Sequence, residues 1–110
     1  MARYNKLVRD RIPEIIKNNG ETPIVRILDD EEYKTCLERK LHEEILEFQE
    51  SSEVEELADI LEVIFALSKV QGISKDRLME IYENKHNERG GFENKVFLVG
   101  TEEKNNKGLN

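Results

Sequence analysis

The nine residues KLHEEILEF, Lys40 to Phe48, and the ten residues EELADILEVI, Glu55 to Ile64, decide how this chain folds. Tyr33, Leu37, Leu41, position 44 and Phe48 keep the register of a buried helical stripe, yet position 44 is Glu. Glu47 falls about 60° around the same side, at roughly 100° per residue, so Glu44 and Glu47 project together at the edge of the core face. The second stretch repeats the anomaly. Its stripe Glu56, Asp59, Val63, Ala66, Val70 is acidic in its first two members and apolar in the rest. The break between the two helical patterns is short, so they are read as an antiparallel hairpin. That arrangement brings the C-terminal half of the first helix against the N-terminal half of the second, and Glu44 and Glu47 against Glu56 and Asp59.

Outward from the hairpin, Asp29 with Glu32 three residues on is a capping box that opens the long helix, which stops near Glu50-Ser51. Ser52 with Glu55 reads as a second box, and the helix it opens runs to Gly72. This helix is polar only along Glu55, Glu62 and Lys69, which implies burial against more than one partner helix. Asp10 to Gly20 contains a short first helix with a Pro in its first turn, and Ser74 caps a last helix that stops at Gly90-Gly91. The β-branched run Ile24–Leu28 and the run Lys95–Val99 each suit a short peripheral strand. The predicted fold is thus mainly α, a helical hairpin within a helix bundle with one or two short strands. A single domain over residues 1–99 is followed by a polar tail over 100–110.

Composition limits what such a domain can do. At 110 residues and 12.9 kDa there is room for one core, and 37% hydrophobic and 6% aromatic residues without Trp supply it leanly. A homodimer or homotetramer that completes its core with a neighbour is expected. The formal charge of −7 removes the diffuse attraction to phosphate backbones and anionic lipid, so neither a nucleic-acid polymer nor a membrane surface is an expected partner. The single Cys36 excludes an internal disulfide framework and a cysteine-rich zinc site. With no apolar run near the ~20 residues of a membrane span, a cytoplasmic location is expected.

Four converging carboxylates cannot all stay ionised away from water without a cation. An all-oxygen donor set with neither Cys nor His favours Mg²⁺, or Mn²⁺, over Zn²⁺, and Mg²⁺ commonly bridges carboxylates to phosphates. A metal site of Glu44, Glu47, Glu56 and Asp59 is therefore expected, with phosphate chemistry as its natural use.

These residues resemble a known family. KLHEEILEF followed by EELADILEVI looks like the EExxE and ExxD signature of the all-α, MazG-like nucleoside triphosphate pyrophosphohydrolases, a superfamily shared with the phosphoribosyl-ATP pyrophosphohydrolases. YNKLVRDRIPEII near the start and NERGGFENKVFL near the end look like a small single-domain branch of it, and the resemblance covers roughly residues 3 to 99. It implies Mg²⁺-dependent cleavage of a nucleoside triphosphate between the α and β phosphates, with Glu44 or Glu47 as the catalytic base. House-cleaning of unusual nucleotides, phosphoribosyl-ATP hydrolysis and a non-enzymatic, metal-stabilised oligomerisation module all fit the same hairpin.

Among the basic residues, Lys40 sits one turn before Glu44, either reaching the triphosphate or forming an ordinary ion pair. Lys85 and Arg89 share a face at the end of the last helix, where the family pattern places substrate contacts and where basic charge also suits a helix C-terminus. Lys6, Arg9 and Arg11 either reach phosphates or pair with the acidic surface. Tyr82 and Phe92 either stack on a base or, as aromatics at such positions more often do, make core or cap contacts, and His42 and His86 are given no role.

Overall fold

The computed structural model describes residues 1–103, and the expected tail over 100–110 lies largely outside them. The described chain is mainly helical: α1 spans Ile12–Asn18, α2 Asp30–Ser51, α3 Val54–Val70 and α4 Lys75–Arg89. By its contacts the chain divides into two compact units, Met1–Met79 and a second that begins at Glu80.

In the first unit, α2 begins as its sequence dictates. The Asp29 carboxylate accepts the Glu32 backbone N–H at 2.8 Å, and acids at 30, 31 and 32 complement the positive end of the helix dipole. The Glu32 carboxylate is held by Arg26 at 2.9 Å, and that hydrogen bond, followed by one from the Asp29 backbone, lowers its pKa from the ordinary value.

The other end of α2 departs from expectation. Ser52 does not cap α3. It closes α2 in the left-handed region at φ 56°, with its N–H donating to the Phe48 carbonyl at 2.7 Å. A residue committed to that conformation cannot also take the extended one an N-cap needs. Glu53 therefore stands at the head of α3, without a side-chain cap. Ser52→Gly is expected to raise the Tm by a few degrees, since a left-handed conformation costs a side-chain-bearing residue about 1 kcal/mol, and Ser52→Val to lower it. Equal Tm values for the two variants in a thermal melt would contradict this.

Across the two-residue link, α2 and α3 pack on each other. Leu37 and Val63 are buried, with Tyr33, Leu41, Phe48, Ile60 and Leu67 half-buried beside them. The stripe positions are thus the ones expected, although Val70 at its end is exposed. Ser68 is buried as well. Its hydroxyl donates to the Ile73 carbonyl at 2.9 Å, and the Ile73 N–H returns a bond to the Ser68 carbonyl at 3.0 Å. This pair fixes the turn after α3, where Gly72 takes φ +80°. Ser74 caps α4 by accepting the Arg77 N–H at 3.1 Å, and the Lys75 ammonium lies 4.6 Å from the centre of the Phe65 ring. At the other end of the unit the cap of α1 is Arg11, with no side-chain bond, and Pro13 occupies the first turn.

In the second unit α4 ends where expected, with the Gly90 N–H donating to the His86 carbonyl at 2.7 Å and φ at +78°. Tyr82 is more than half exposed, tilted against His86 at 6.0 Å between ring centres, and Phe92 is almost fully exposed, so neither is a core contact. The two predicted strands are not formed: among the described residues there is no strand, and neither Ile24–Leu28 nor Lys95–Val99 is in a ladder. β-branched composition favours a strand only where a partner supplies the hydrogen bonds and packing.

Candidate functional site

The acids that interrupt the two stripes meet. Glu44, Glu56 and Asp59 each present a carboxylate oxygen within 4.8 Å of the others, and Glu43, Glu44 and Glu47 form a second such group. Glu44 belongs to both. Oxygen ligands on opposite or adjacent corners around a small divalent cation stand about 3–4.2 Å apart, so small side-chain rotations bring either group into range.

Glu44 is the centre of the arrangement because its helix position buries it. Its side chain is 9% exposed; one oxygen lies 3.4 Å from the Lys40 ammonium. The other oxygen is buried without a hydrogen-bond partner, as is Oε2 of Glu56. Buried carboxylate oxygens are rarely left so, and two of them belonging to one acidic group are the vacant donors a cation would use. Electrostatics agree. Burial, then the adjacent Glu47 carboxylate, pushes the Glu44 carboxyl above its ordinary pKa despite Lys40. Burial and the negative charges of Glu47, Asp59 and Glu44 do the same to Glu56.

Two cations stand at the edges of this group. Lys40, largely buried, lies 3.5 Å from Glu43 as well as 3.4 Å from Glu44. Arg9, from the segment before α1, donates to Asp59 Oδ1 at 2.6 Å and lies 3.8 Å from Glu62.

Glu44, Glu56 and Asp59 thus share one group, and Glu47 shares a second one with Glu44. Glu47 is the exposed member. Glu43, which lies off the stripe, is drawn in as well; the signal available was its i, i+3 spacing from Lys40. Lys40 is committed to Glu43 and Glu44 here. Lys85 and Arg89 lie exposed on the last turns of α4, in the second unit. Of Lys6, Arg9 and Arg11, Arg9 pairs with acids of α3, while Arg11 pairs locally with Glu14 at 3.3 Å.

Comparison with known proteins adds little. No family model matches the chain, and no solved structure does. An uncharacterized protein of Mycolicibacterium smegmatis is 52% identical over 44 residues, a match covering 40% of this chain and 45% of the relative. The match thus spans less than half the length of either protein. Among the described residues no helix is long and apolar enough to cross a membrane.

Proposed function

We propose that this chain is a Mg²⁺-dependent nucleoside triphosphate pyrophosphohydrolase, a MazG-like antiparallel helical hairpin in a helix bundle, working in the cytoplasm as a homo-oligomer. The observation that carries the reading is Glu44: a carboxylate in the buried stripe of α2, with an unpartnered oxygen and the acids of α3 within reach.

In this reading Glu44, Glu56 and Asp59 hold the ion and Glu47 completes the set, with Mn²⁺ an alternative occupant. When bound, Mg²⁺ neutralises phosphate oxygens and so eases attack on the phosphorus. The chain's own residues do the rest. Glu47, the exposed carboxylate of the four, orients or deprotonates the attacking water, a role Glu44 is too enclosed to share easily. Water adds at a phosphorus of the α–β anhydride and the bridging P–O bond breaks, giving the monophosphate and pyrophosphate. Lys40, one turn before Glu44 on α2, is assigned to the polyphosphate chain.

The homo-oligomer is supported by apolar residues that the single chain leaves uncovered. Val54, Leu57, Leu61 and Ile64 follow the i, i+3, i+7, i+10 spacing of a helix-packing seam, and all four are exposed.

The test is pyrophosphate release from a panel of standard and damaged nucleoside triphosphates and phosphoribosyl-ATP, with Mg²⁺ and with EDTA. Mg²⁺-dependent release from a nucleoside triphosphate is the expected result. Turnover of phosphoribosyl-ATP alone would reassign the substrate, and a Tm that rises with Mg²⁺ without any turnover would leave a metal-stabilised structural module.

A further inference from the structure

Arg9 stands out because it ties two distant parts of the chain together at the acidic group. Its partner Asp59 is 50 residues away in sequence, and the contact at 2.6 Å is made with a member of the Glu44, Glu56, Asp59 set. The root of this side chain is fixed: the Arg9 carbonyl accepts the Ile12 N–H at 3.0 Å, at the start of α1. Its head is not. The side chains of Arg9 and Asp59 are 52% and 40% exposed, and an ion pair so open to water is readily exchanged.

A guanidinium and a divalent cation compete for Asp59. Arg9 holds Oδ1, and a guanidinium and a divalent cation on one carboxylate repel each other. A ligand that brings in negative charge resolves the conflict, and the planar fork of Arg fits a phosphate group with two parallel hydrogen bonds better than it fits a shared carboxylate.

We infer that Arg9 is a phosphate-receiving arm, which holds Asp59 and passes to the phosphate oxygens when a cation-bound polyphosphate enters. This rests on the metal site proposed above and adds a residue that recognises the substrate's phosphate chain.

The experiment is calorimetric titration of the full chain with MgCl₂ alone, and with imidodiphosphate at saturating MgCl₂, for wild type, Arg9→Gln and Arg9→Lys. Loss of the competing guanidinium in Arg9→Gln is expected to tighten Mg²⁺ alone several-fold, while loss of a charged two-point contact weakens imidodiphosphate by about ten-fold or more. Arg9→Lys keeps the charge without the fork, so Mg²⁺ alone stays near wild type while imidodiphosphate still weakens. Arg9→Gln weakening both ligands together would mark a purely structural ion pair, and unchanged affinities would mark an idle one; either overturns the inference. A wild-type chain that binds no Mg²⁺ would instead overturn the metal site itself.

Discussion

Asp59→Asn and Glu47→Gln are each expected to lower Mg²⁺-dependent pyrophosphate release about 100-fold or more while leaving the helical circular dichroism near wild type. Each change keeps the shape of the side chain and removes one negative charge. Asp59 lies within ligand distance of Glu44 and Glu56, so its loss weakens the grip on the ion directly. Glu47 is exposed and carries no packing role, so its loss reaches the water-activating step rather than the fold. Full activity in both variants would remove the four-carboxylate assignment.

The second large effect is on stability and runs the opposite way to activity. In EDTA, Glu44→Leu is expected to raise the Tm by about 5 °C, because it removes a carboxylate whose charged form burial and the adjacent Glu47 disfavour and sets an apolar side chain of similar size on the buried stripe. Position 44 lies on the same stripe as buried Leu37, and Lys40 retains Glu43 as a partner. The variant loses its response to Mg²⁺ at the same time.

Acidity tests the same strain. Glu44 and Glu56 hold their protons to higher pH in the folded chain than in the unfolded one. The folded state therefore binds more protons as pH falls from neutral, and metal-free stability rises toward the ordinary carboxylate range. The contribution is complete below that range and is lost as pH rises through the raised pKa values. Glu32, whose pKa is lowered by Arg26, works in the opposite sense, but this largely exposed pair is a weak counterweight. Saturating Mg²⁺ is expected to flatten the slope between neutral and mildly acidic pH, and Glu44→Leu to reduce it. A metal-free Tm that falls steadily over that interval would contradict the burial of these acids.

How much of this was legible in the sequence follows from how local each determinant is. Asp29 and Ser74 announced their helices because a cap is a contact over three residues. Glu44 was legible because one acid in an apolar stripe is visible from periodicity alone, and the same logic marked Glu56 and Asp59. Ser52 was misread because the same residue type serves a helix start through its side chain and a helix end through its backbone; only the backbone angle decides. Ile24–Leu28 carried the composition of a strand, but the ladder that makes a strand is a property of two segments. Arg9 was the hardest to place. Its partner lies on α3, and no spacing rule reaches from the segment before α1 to Asp59.

Calorimetric titration of MgCl₂ into the EDTA-stripped wild-type chain and its Glu56→Gln variant at neutral pH addresses the central claim most directly, since Glu56 carries the second buried, unpartnered oxygen beside Glu44. Saturable binding by wild type that is lost or weakened by about ten-fold or more in Glu56→Gln is the expected result. Featureless heats from wild type, or equal binding by both chains, would contradict it.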